Sequence, residues 1–160
     1  MRLFVVRHGI ADHPGWSGPD IERPLNQEGV ESMQKGARRL AKIGIEPGLV
    51  LYSPLVRCRQ TAEMIAVALD ATDRLRADPR LEPGFSIGAL TELLRENSAA
   101  TELMVVCHSP DCDEVVRALV GGVSLHLGKG AAACIDVDQV GVGRPTGQLK
   151  WLATRRLLTK

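Results

Sequence analysis

Three short apolar runs, each stopped by polar residues, constrain this chain most. Leu3–Val6 runs into Arg7-His8-Gly9, Leu49–Leu51 into Tyr52-Ser53-Pro54, and Leu103–Val106 into Cys107-His108-Ser109-Pro110. Branched and aromatic residues dominate the runs, which favours buried strands. The polar residues come where each strand should surface. Gly9 lets the backbone turn, or lets another group approach it closely. In an open α/β sheet, ligands sit outside the carboxyl ends of the strands. Arg7-His8-Gly9 alone also suits a structural histidine at a strand end. A second strand ending in His108 turns the reading toward a nucleophile flanked by anion binders, provided the two strands are parallel.

Each of the later runs continues into a helix-start signal. Ser53-Pro54 and Ser109-Pro110 both read as an N-cap followed by the first helical position. Asp111, Asp113 and Glu114 then fill a first turn, where acidic residues are favoured. Arg57 falls within the first turn or so of the helix after Ser53-Pro54. A helix N-terminus carries free N–H groups and partial positive charge. Arg57 adds a planar fork of donors that matches phosphate oxygens.

Composition restricts the partners. The 160 residues predict one domain, 1–160, large enough for a single core. Twenty basic and nineteen acidic side chains give a net charge of +1, so there is no global field for nucleic acid or a membrane surface. No run approaches the length of a spanning helix, and the N-terminus moves straight into a strand, so a cytoplasmic location is expected. Cys58, Cys107, Cys112 and Cys134 have no Cys-x-x-Cys spacing. They read as reduced and mostly buried. Zinc bound by Cys107, His108 and Cys112 is a minor reading, because tetrahedral spacing is absent. Scarce aromatics argue against a base-stacking surface.

Along the chain, residues 10–26 read as a long polar loop, which in a compact domain is usually functional. Asn26 caps a helix from about Gln27 to Ile43. A strand at 49–52 and the Arg57 helix to about Leu69 follow. Arg74–Ala77 reads as a short strand and Ser86–Glu96 as a helix. The His108 strand and a helix to about Leu119 come next. Ala132–Val137 and Gln148–Ala153 read as strands joined by a hairpin loop at Gly141–Gly147. His13 reads as a surface residue and His126 as structural. Lys129, between glycines, reads as solvated or as reaching an anion.

Taken together, Arg7-His8-Gly9, Ser53-Pro54-Leu55-x-Arg57-x-x-Gln60-Thr61-Ala62 and the strand-borne His108 resemble the histidine phosphatase superfamily, also called phosphoglycerate mutase-like. Arg23-Pro24-Leu25 followed by Gly29, with the short length, looks most like the SixA-type phosphohistidine phosphatase branch. The resemblance spans residues 2 to about 138. It implies an α/β fold: a three-layer α/β/α sandwich with a mostly parallel central sheet. It also implies a phosphorylated intermediate on His8, with Arg7, Arg57 and His108 as the other catalytic and phosphate-binding residues. Arg23 is implied as a further phosphate contact, oriented by Asp20. The plainer reading of Arg23 is a solvated side chain paired with Asp20 or Glu22.

Residue chemistry then separates the substrates. Arginines neutralise the phosphoryl oxygens, so neither metal nor cofactor is expected. A neutral His8 attacks, its other nitrogen held as a donor, and water later releases inorganic phosphate. His108 stands beside the transferring oxygens as a donor, preferably protonated. An alcohol leaves badly without a proton, and Glu82, in Arg80-Leu81-Glu82-Pro83-Gly84, is the candidate general acid. Imidazole, with a pKa near about 6.5, leaves more easily. A phosphohistidine-bearing protein is therefore the expected partner. A small phosphorylated molecule cleaved with Glu82 as acid is the alternative. A non-catalytic phosphate-binding module is disfavoured, because both histidines and Arg57 are present.

Overall fold

Strand β1, Arg2–Arg7, explains its own lack of polar alternation. Leu3 and Val5 enter one apolar layer, Phe4 and Val6 the other, and all four are at most 2% exposed. A strand covered on both faces has no solvent side to keep polar. These features come from a computed structural model that describes residues 1–138 and 143–160. The elements alternate: α1 (Gln27–Lys42), β2 (Leu49–Tyr52), α2 (Val56–Ala68), β3 (Leu75–Ala77), α3 (Ile87–Glu96), β4 (Glu102–Cys107) and α4 (Asp111–Leu119). Then come β5 (Ala132–Val137), β6 (Gly147–Ala153) and α5 (Arg155–Leu158). The hairpin expected at Gly141–Gly147 lies partly outside the described residues.

The strands form one sheet in the order β3-β2-β4-β1-β5-β6. β3, β2, β4 and β1 are parallel, and β5 and β6 join antiparallel. Met33, Ala37 and Leu40 of α1, Ala62 and Ile65 of α2, and Leu158 of α5 cover one face. Leu90, Leu93 and Leu94 of α3, with Val115, Val116 and Leu119 of α4, cover the other. The result is the three-layer α/β/α arrangement with a mostly parallel sheet. No described helix is long and apolar enough to cross a membrane.

Two helix starts differ from the sequence expectation. α2 begins at Val56 and α4 at Asp111, and neither has a side-chain cap. The serines are engaged elsewhere. Ser53 Oγ lies 2.8 Å from His108 Nε2, and Ser109 Oγ donates to Asp113 at 2.9 Å. Asn26 does cap α1, accepting from the Gly29 N–H at 2.8 Å. The short α5 was not anticipated. Thr154 caps it, and Leu158 anchors it in the core at 6% exposure.

α1 contains two buried glycines with opposite roles. A Cβ on Gly29 would stand 2.0 Å from the Ile10 carbonyl oxygen, because the loop leaving β1 crosses the helix there. On Gly36 the nearest atom would be Leu158 Cβ at an ordinary 3.6 Å. Gly29→Ala should therefore destabilise the protein by about 1–3 kcal/mol. Gly36→Ala should stabilise it by up to about 1 kcal/mol, through helix propensity. Denaturant titrations of the two variants check the difference in sign.

Candidate active site

Register places the histidines. In the parallel pairing of β1 with β4, Arg7 is opposite Cys107, so His8 and His108 are the next residues on adjacent strands. The His8 N–H donates to the Cys107 carbonyl at 3.1 Å, and the two ring centroids are 5.2 Å apart. Strand β2 lies on the other side of β4, with Tyr52 opposite Val106. That brings Ser53 beside His108. His8, His108 and Ser53 are 8%, 4% and 0% exposed.

The His8 tautomer follows from its contact. Nδ1 is 2.7 Å from the Gly9 carbonyl oxygen, which can only accept. Nδ1 therefore carries the proton, and Nε2 keeps its lone pair. Burial, then the charges of Arg57, Arg7 and Arg23, lower the His8 pKa to about 4, although the Gly9 contact opposes this. Burial first, then His8 and Arg57, lower that of His108 to about 3. Both rings are thus neutral at pH 7. The sequence reading preferred a protonated His108. In the free site, desolvation and neighbouring cations keep the proton off it.

Helix α2 holds the first loop against these strand ends. Gln60 accepts the Leu25 N–H at 2.8 Å, and Thr61 Oγ1 accepts the Gly9 N–H at 3.1 Å. Arg57, 4% exposed, donates to the Asp20 backbone oxygen at 2.8 Å and its carboxylate at 2.9 Å. Asp20 also takes two bonds from Arg23, at 3.0 and 2.7 Å. Asp20 thus orients two arginines, not Arg23 alone. Its own pKa is lowered, first by the Arg23 hydrogen bonds and then by Arg57, against a desolvation cost. Arg7 Nη1 donates to the Leu127 carbonyl at 2.8 Å. The Nε atoms of Arg7 and Arg57 are buried without an acceptor among the described residues.

Arg7, His8, Arg23, Arg57 and His108 line one cleft of about 350 Å³. Lys129 is at its rim and binds both oxygens of Asp12, at 2.7 and 2.6 Å. Pro83 and Gly84 also line the cleft, but the preceding Glu82 does not. Sequence reasoning missed Ser53 as a contact of His108, although Ser53 begins the quoted motif. It also missed Asp113, read only as a first-turn acid. All four cysteines are free and buried, and Cys58 Sγ is 3.5 Å from His108 Nε2. Cys107, His108 and Cys112 do not form a metal site; among the described residues no three such side chains are grouped to hold a metal.

The arrangement combines a neutral imidazole with a free lone pair, a second imidazole and three guanidinium groups, as nucleophilic phosphoryl transfer requires. The chain as a whole is similar to known proteins. The chain is 28% identical over 146 residues to the phosphohistidine phosphatase SixA of Escherichia coli, covering 89% of each chain. It is 35% identical over 128 residues to an uncharacterised protein of Picosynechococcus, covering 79% of this chain and 77% of that one. The structure of the protein histidine phosphatase SixA complexed with tungstate matches with a TM-score of 0.87 and 26% identity, over 99% of each chain. The model of the histidine phosphatase superfamily (branch 1) matches residues 3–83, which include Arg7, His8, Arg23 and Arg57, and the chain belongs to that superfamily.

Proposed function

We propose that this protein is a phosphohistidine phosphatase acting on a phosphorylated histidine displayed by another protein, in the cytoplasm. The observation that carries the reading is the His8 contact with Gly9, which leaves a neutral nitrogen available beside three arginines. The likeness to SixA over most of the chain supports the substrate class.

In this reading the arginines gather the phosphoryl oxygens. They cancel the repulsion that an incoming nucleophile would meet. Nε2 of His8 attacks phosphorus as the substrate N–P bond breaks. A phosphohistidine protonated on its other ring nitrogen leaves as neutral imidazole, so it needs no proton from the enzyme. Water then attacks phospho-His8, releasing phosphate and restoring His8. A bound phosphoryl dianion favours the charged form of its neighbours. His108, neutral in the free site with one ring N–H, therefore gains its second ring proton only with the substrate. Glu82 stands outside the cleft lining, which favours a leaving group that requires no acid.

His8→Ala should abolish turnover and the acid-labile phosphoenzyme, read by incorporation of labelled phosphate. Glu82→Gln should leave phosphohistidine hydrolysis within a fewfold of wild type. Fast ester hydrolysis that falls by the roughly 10²–10⁴-fold of lost general acid catalysis would favour the phosphomonoesterase instead. A strong chelator should leave turnover unchanged, because arginines supply the positive charge.

The neutral histidines also set the acid sensitivity of the fold. Their folded pKa values, about 4 and about 3, lie below the ordinary 6.5. Between those limits the unfolded chain binds more protons than the folded one, so stability present above pH 6.5 is lost as pH falls. Melting temperatures should drop between pH 7 and pH 4.5, and drop less in His108→Gln. A melt independent of pH over that range contradicts the assignment.

A further inference from the structure

Residues 123–128 have no regular secondary structure, yet they carry the carbonyl that anchors Arg7. The same stretch continues into Gly130, whose N–H donates to the His8 carbonyl at 2.9 Å and the Arg7 carbonyl at 3.2 Å. Gly130 has φ +75, a conformation that suits glycine. A segment without ladder hydrogen bonds stays in place only through specific ties. Asp113, in the first turn of α4, supplies one. Its Oδ1 accepts the Leu127 N–H at 2.7 Å. Its Oδ2 accepts from Ser109 Oγ and from His126 Nδ1, both at 2.9 Å. Ser109 directly follows His108, and Leu127 is the residue whose carbonyl holds Arg7.

We propose that Asp113 is a positioning residue: it ties the His108 end of β4 to the Leu127 segment and so fixes Arg7 for anion binding. Asp113 is not part of the cleft lining and touches no reacting atom. Its side chain is 16% exposed, while that of His126 is 69% exposed. Burial opposes its ionisation, but the bonds from Leu127, His126 and Ser109 outweigh that and hold its pKa below the ordinary value. The carboxylate therefore keeps all its acceptor sites at neutral pH. Removing it frees the Leu127 peptide, and with it the acceptor that aims Arg7.

The test is inorganic phosphate binding by calorimetry, with phosphohistidine turnover alongside. A positioned group displaced by about 1 Å loses up to about a hundredfold, so Asp113→Ala should weaken phosphate binding about tenfold. Asp113→Asn keeps an acceptor for Leu127, and Ser109 and a neutral His126 can each turn to accept from its amide. That variant should bind phosphate as well as wild type, or more tightly. The comparison separates position from charge. Both variants delete one negative charge, which alone would favour an anion. If both bind phosphate equally well, or if Asp113→Ala lowers the melting temperature with unchanged phosphate affinity, the proposal fails. Should the alanine variant not fold, Asp113→Ser, suited to a first helical turn but too short to reach Leu127, carries the same expectation. The turnover arm rests on the phosphatase reading, whereas the binding arm does not. A wild type that binds phosphate but leaves phosphohistidine intact would sink that reading and leave this test standing.

Discussion

The parallel pairing of β1 with β4 is the constraint on which the site depends. Strand ladders repeat in fixed register, so aligning Arg7 with Cys107 necessarily sets His8 beside His108. A slip of one residue would turn Leu3, Phe4, Val5 and Val6 each into the wrong apolar layer. The core therefore enforces the register, and the register delivers the two rings within 5.2 Å. Stability and chemistry share one set of hydrogen bonds here.

The arginines are held by a different principle. Each is anchored by acceptors of the surrounding loops: Asp20 for Arg57 and Arg23, and the Leu127 carbonyl for Arg7. A long flexible side chain loses substantial rotamer entropy when ordered. Here that loss falls on folding instead of on binding. Preorganised charge is what stabilises a phosphoryl group most effectively, because little rearranges during the reaction. Burial first, and then the same cations, lower the pKa of His8. One arrangement thus gathers positive charge in the cleft and keeps the His8 ring unprotonated.

The loops that complete the site come from well-separated stretches of chain. Asp20 belongs to the loop after β1, Leu127 to the segment before β5, and Gly84 to the connection before α3. They are tied mainly by side-chain to backbone contacts: Gln60 to Leu25, Thr61 to Gly9, Asp113 to Leu127 and Asp111 to Gly84. These contacts engage the polar residues that the Arg57 segment carries on a mostly apolar helix. Arg57, Gln60 and Thr61 each hold a different part of the first loop.

The sequence by itself determined the strands, the helices that alternate with them, and the strand-end histidines and arginines, because burial and helix capping leave local residue patterns. Asn26 caps its helix as such a pattern requires. Only the tertiary structure decided what Ser53, Ser109 and Asp113 do. A serine before a proline reads as a helix cap, but Ser53 reaches His108 across 55 residues, and Asp113 reaches Leu127 across 14. The protonation of His108 was likewise invisible, since its pKa depends on burial and on charges from three separate segments. Local pattern records the backbone's needs, whereas long-range contacts are set by how the layers pack, and no short window of sequence contains them.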